Sequence, residues 1–130
     1  MYLALKTDSA QTEIVLVDNS GEIASQVLWD SGRNLADQLL TKINTTLDSQ
    51  GLNWPDIAAV IIFRGPGSFT SLRIGVTVAN TIAYTQDIPI VGTMGEVWIR
   101  EGVERLKNGE SDTQVTPHYG AEPNITKPKR

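Results

Sequence analysis

The chain contains no cysteine and a single histidine, His118, in 130 residues. Disulfides, thiolate nucleophiles and cysteine-ligated zinc are therefore excluded. One imidazole cannot form the paired-histidine site of a metalloprotease. A serine hydrolase would have to draw its base from a proline-bearing stretch near the chain end. No apolar run approaches the roughly 18 residues that cross a bilayer. The opening Met1–Lys6 turns polar too soon for a signal peptide. These absences predict a soluble cytoplasmic protein that touches no membrane and holds no metal or cofactor. Positive charge is also scarce, with 11 Lys and Arg against 15 Asp and Glu and a net charge of −4. Residues 1–106 carry 7 positive and 12 negative side chains, whereas residues 107–130 carry 4 and 3. An acidic body is a poor nonspecific binder of nucleic acid. The basic end Lys127-Pro128-Lys129-Arg130 reads as a solubilising terminus.

What is present suits one globular domain, because 40% of the residues are hydrophobic and only 20% are charged. Three β-like runs open the chain, Tyr2–Lys6, Glu13–Asp18 and Ile23–Trp29. Short links between them, including the turn-forming Asp18-Asn19-Ser20-Gly21, force an antiparallel meander. A helix is predicted from about Asn34 to Gln50. Its apolar arc is Leu35, Leu39, Leu40, Ile43 and Leu47, and Gly51 stops it. Ala58–Phe63 is continuously apolar and reads as a buried central strand. A second helix over Ser68–Gln86, a strand over Pro89–Gly92 and a third helix over Gly95–Leu106 complete the order βββαβαβα. Helical crossovers demand parallel pairing, so the fold class is α/β: a five-stranded mixed sheet with helices on its faces. The lobe is assigned to residues 1–107. Residues 108–130, with Pro117, Pro123 and Pro128 and little apolar periodicity, read as an extended tail rather than a packed element.

Two features carry functional information. The first is Arg64-Gly65-Pro66-Gly67-Ser68-Phe69, between the buried strand and the second helix. Its glycines permit a tight turn, Ser68 is placed to cap the helix, and free amides there suit an anion. No Lys-Ser/Thr pair closes it as a P-loop, and Thr70 stands where a dinucleotide fingerprint has its third glycine. The second feature is the helix itself. Gly75, Ala79 and Ala83 give a small-residue face for close packing on the sheet. The opposite face bears Thr70, Arg73, Ile74, Thr77, Asn80, Thr81 and Tyr84, with Arg73 as its only charge. Solvated helix faces carry more charge than this, so the face reads as a partner-binding surface. A metal-dependent nuclease would need several converging carboxylates, and only Asp8 lies where one would stand.

The run Arg64-Gly-Pro-Gly-Ser-Phe-Thr-Ser-Leu-Arg-Ile-Gly75 resembles the signature of the bacterial TsaB (YeaZ, glycoprotease-like) family. The resemblance covers about residues 1–106 and includes Leu52–Asp56 and Ile88-Pro89-Ile90-Val91-Gly92. It implies a ribonuclease-H-like, actin-like ATPase lobe. It also implies a non-catalytic scaffold for TsaD, the enzyme that places a threonylcarbamoyl group on the adenosine beside the tRNA anticodon. Further implications are a TsaD homologue as heterodimer partner, self-pairing in isolation, TsaE as an additional partner, and tRNA reached only through the complex. The family's opening Asp-Thr-Ser stands here as Lys6-Thr7-Asp8, Leu35 replaces a usual histidine, and Ser71 replaces a usual glycine. The second lobe of typical members has no counterpart in these residues, which reads as either a natural minimal form or a truncation, and the similarity of Tyr119–Lys127 to family C-termini favours the minimal form. The alternatives are a nucleotide-binding enzyme or regulator using the Gly65–Ser68 loop, and a self-associating structural protein.

Overall fold

The structure, a computed structural model, describes residues 1–119. The basic end Lys127–Arg130 lies outside the described residues. The elements are strands β1 (Tyr2–Lys6), β2 (Gln11–Val17) and β3 (Ile23–Asp30), helix α1 (Leu35–Ser49), strand β4 (Ala59–Phe63), helix α2 (Phe69–Gln86), strand β5 (Ile90–Thr93) and helix α3 (Trp98–Lys107). The expected order is observed. The five strands form one sheet in the order β3-β2-β1-β4-β5. β1, β2 and β3 pair antiparallel, while β4 lies parallel to β1 and β5 parallel to β4. Chemistry at the β2–β3 turn is local. The Asp18 carboxylate accepts from the amides of Ser20 and Glu22, both at 2.9 Å.

Helices cover both faces of the sheet. Leu3 and Leu5 of β1 and Val60 and Ile62 of β4 point toward α1 and α2, where Leu35, Leu39, Ile43, Val76 and Ala79 meet them. Ala4, Ile61 and Phe63 point to the other side, where Trp98 and Val103 of α3 close the smaller core. Strand residues alternate sides, so a strand covered on both faces is apolar throughout. This is why β4 is buried along its whole length.

Several boundaries differ from expectation. α3 begins at Trp98 rather than Gly95. Gly95 has φ +86°, which no right-handed helix accommodates, and Val97 remains 47% exposed. Leu40 does not join the buried arc of α1 but is 49% exposed. Gly51 ends α1 as expected, with φ +67°. Its amide donates to Asp48 and that of Leu52 to Leu47, which satisfies two otherwise orphaned carbonyls.

The segment after α3 corrects the expectation of an unpacked tail. Up to Tyr119 it has no helix or strand, yet Val115 is only 4% exposed and packs into the larger core. The segment runs as a strap past β5, the start of α2 and the Arg64 loop. Its anchors are backbone groups, the buried Val115 side chain and the Asp112 carboxylate, which leave no periodic trace in sequence.

Candidate functional site

The Arg64–Phe69 loop is a closed joint. A Cβ at Gly65 would overlap the His118 carbonyl, and one at Gly67 would overlap the backbone of Asp8. Nearly two turns into α2, a Cβ at Gly75 would overlap the Thr7 side chain. The glycines are therefore needed for close approach. Thr7 Oγ1 donates to the Ser71 carbonyl at 2.9 Å, and the Ser68 amide donates to the Asp8 carbonyl at 2.8 Å. Ser68 stands at the N-cap of α2, but its side chain makes no capping hydrogen bond. Its amide, one of those expected to favour an anion, is already paired with Asp8.

The end of β1 is similarly occupied. Lys6 Nζ lies 2.9 Å from Asp8 Oδ2 and 4.6 Å from the centre of the Phe63 ring. The carboxylate nearest the loop is thus neutralised within the chain. Among the described residues, no three His, Asp or Glu side chains gather in a way that could hold a metal ion.

The strap grips the other side of the loop. The His118 amide donates to the Arg64 carbonyl at 2.7 Å, and Arg64 Nε donates to the Thr116 carbonyl at 3.1 Å. The Asn80 side chain reads the backbone of Val115 in both senses. Its Nδ2 donates to the Val115 carbonyl, and its Oδ1 accepts from the Val115 amide, both at 2.9 Å. A Cβ at Gly92 would overlap the Val115 side chain, so that glycine makes room for the strap. Along the outer edge of β5, the Asp112 amide donates to Ile90, and the Gly92 amide donates to the Asp112 carboxylate, both at 2.8 Å. Arg105 Nη1 donates to Gly92 and to Asp112, each at 3.1 Å. Those hydrogen bonds from Arg105 hold the Asp112 carboxyl below the usual carboxylate range and raise the guanidinium's own pKa.

The partner face read from the sequence is brought together in part. Thr70, Arg73, Thr77, Thr81 and Tyr84 are exposed, with Tyr84 at 88%. Ile74 is half-buried and rests on the core. Asn80 is half-buried and turned to the strap, so it does not share the open face. The helix periodicity that placed Asn80 there carries no information about the strap.

Residues from α1 complete the surface. A hollow of about 350 Å³ is lined by Ala36, Thr70, Arg73, Ile74, Thr77 and Val78. A second, of about 380 Å³, continues along α2 between Leu40, Asn44, Trp54, Val78 and Thr81. Sequence reasoning placed Leu40 in the core and left Trp54 unassigned. The signal for Leu40 was its phase, since it lies about 100° around the helix from Leu39, at the edge of the arc centred on Leu35, Leu39 and Ile43. At the N-terminal end of this face, the rings of Phe69 and Tyr119 lie 4.5 Å apart, and the Arg73 guanidinium lies 5.4 Å from the Phe69 ring. The arrangement as a whole offers a weakly charged, grooved surface beside a loop pinned to Asp8 and His118.

Comparison with known proteins places this geometry in context. Residues 29–94 match the family described as TsaD, tRNA N6-adenosine threonylcarbamoyltransferase. The chain is 31% identical over 106 residues to the tRNA threonylcarbamoyladenosine biosynthesis protein TsaB of Escherichia coli, covering 74% of this chain and 46% of that protein. It is 31% identical over 88 residues to the TsaB of Bacillus subtilis, covering 68% and 38%. The solved structure of YeaZ from Pseudomonas aeruginosa superposes with a TM-score of 0.65 at 27% identity, covering 72% of this chain and 44% of that one. The chain thus spans less than half the length of these relatives.

Proposed function

This chain belongs to the family that unites the TsaB proteins with the TsaD threonylcarbamoyltransferases, and on that premise we propose that it is a non-catalytic docking subunit in tRNA threonylcarbamoyladenosine biosynthesis. It engages a TsaD-type partner through the outer face of α2 and the groove between α1 and α2. The observation that carries this reading is the character of that face: an 18-residue helix with Arg73 as its single charge, flanked by two continuous hollows. Depletion of charge around aromatic and arginine anchors is the compositional mark of a protein interface. In isolation the same surface pairs two copies of the chain. TsaE joins the assembly as a further partner, and tRNA is reached through the complex rather than by this acidic body. The non-catalytic part of the reading is supported by the end of β1, where Lys6 neutralises Asp8 and the neighbouring Ser68 amide is paired within the chain.

The test is titration of the full chain with a TsaD-type protein from the same organism, with Thr77→Glu as the interface variant. Thr77 is exposed, so the substitution leaves the fold intact, and a carboxylate at the centre of the face abolishes association. Ile74→Glu is the poorer probe, because Ile74 is half-buried against the core. Unchanged affinity in the Thr77 variant would contradict the assignment of the surface. Steady ATP turnover by the isolated chain would contradict the non-catalytic role.

A further inference from the structure

We propose that the docking surface continues from α2 onto the strap, where Phe69, Arg73 and Tyr119 form one cluster that receives a partner segment pairing a carboxylate with an apolar side chain, and that Asn80 is the positioning residue that holds Tyr119 in place. The proposal rests on the docking reading above and names the chemistry of its partner.

The cluster is built from separate parts of the chain. Phe69 opens α2, Arg73 lies one turn further, and Tyr119 arrives from the strap. The Phe69 ring is near both of the others, with Tyr119 at 4.5 Å and the guanidinium at 5.4 Å. Phe69 is nevertheless 55% exposed and Tyr119 39%, so each ring leaves much of its surface unburied within the chain. Aromatic rings with few torsions lose little entropy on binding and, with arginine, dominate interface energetics. Arg73 is the one charge on α2, which fixes the sign of what faces it: a carboxylate, with apolar atoms over the rings. The hollow lined by Thr70, Arg73 and Ile74 adjoins the cluster, so the surface is continuous.

Asn80 enters through the strap. Its two hydrogen bonds to Val115 fix both backbone groups of one residue, as a neighbouring strand would. The His118 amide then bonds Arg64 immediately before Tyr119. Tyr119 therefore leaves a tethered residue and meets Phe69 in a set place. Apart from Val115 the strap buries little apolar surface, so its closure depends on such polar anchors.

Calorimetric titration of the full chain with the TsaD-type protein tests this. Tyr119→Ala weakens binding about tenfold, the scale of one interface anchor. Asn80→Ala speeds hydrogen–deuterium exchange across 112–119 and weakens binding to a similar degree. The double variant is no weaker than either single one, because both changes act through Tyr119. If both single variants bind like the wild type while Thr77→Glu does not, the surface stops at α2 and the proposal fails alone. If the two losses add, Asn80 is no positioning residue for Tyr119. If Thr77→Glu also binds like the wild type, the docking reading fails and takes this proposal with it. Tyr119 is an exposed side chain, so its variant carries the test even if the Asn80 variant unfolds.

Discussion

Helices α2 and α3 cover opposite faces of the same sheet and meet water differently. α3 carries Arg100, Glu101, Glu104, Arg105 and Lys107 in 10 residues, whereas α2 carries Arg73 alone in 18. Both bury an apolar side, with Trp98 and Val103 on α3 and Leu72, Val76 and Ala79 on α2. The difference therefore lies on their outer sides, where packing makes no demand. A helix that needs only solvation is free to carry charge, and α3 does so. The near absence of charge on α2, next to the exposed Leu40 of α1, is what the proposed docking of a second protein on that side requires.

The comparison breaks most severely on the inner side of α2. Gly75→Ala drives a methyl group into Thr7, displaces its hydrogen bond to Ser71, and costs about 3 kcal/mol, at the upper end for overpacking. Urea unfolding measures this. On the outer side, Thr77→Glu leaves unfolding within about 0.5 kcal/mol, as exposed substitutions do. The same change weakens partner association more than about tenfold, the scale of a central interface position. Arg100→Ala, on the exposed side of α3, moves neither quantity.

A smaller effect sharpens the contrast through the strap. The folded state depresses the Asp112 pKa, chiefly by the hydrogen bonds from Arg105. The ionised carboxylate therefore stabilises the closed strap above the ordinary carboxylate range, and that contribution is lost as pH falls through the depressed value. The NMR shift of the Gly92 amide, which donates to Asp112, stays constant near neutrality and moves only in acid, below about pH 4. Asp112→Asn removes the acid transition. The smallest effect is at the end of α2, where Asp87 has φ +55°. Asp87→Gly relieves that left-handed conformation and raises stability by about 0.5 kcal/mol in the same urea experiment.

The element order, the antiparallel meander, the parallel sense of the later strands and all three helices were legible in the sequence, because each element has a period or a turn that declares it. Ala58–Phe63 read as a covered strand from its continuous apolar run, and the Asp18–Gly21 turn left β2 and β3 no route but antiparallel. The strap was not legible. Its hold on the body comes from backbone groups of Asp112, Val115 and His118, which every sequence supplies, from a single buried valine, and from the Asp112 carboxylate, whose partners Gly92 and Arg105 no local pattern reveals. Asn80 was misplaced for the same reason, since helical phase puts it among threonines while its partner lies 35 positions away. Of the loop, the glycines were read correctly as a tight joint. The neighbours that require them, Asp8 and His118, are matters of tertiary contact.

Light scattering coupled to size exclusion, on this chain alone and mixed with the TsaD-type protein of the same organism, tests the central claim most directly. The docking account predicts a one-to-one complex that forms at the expense of any homodimer and is lost in the Thr77→Glu variant. Separate elution of the two proteins at concentrations of tens of micromolar would contradict it, since a surface of this kind should bind at about that strength or better.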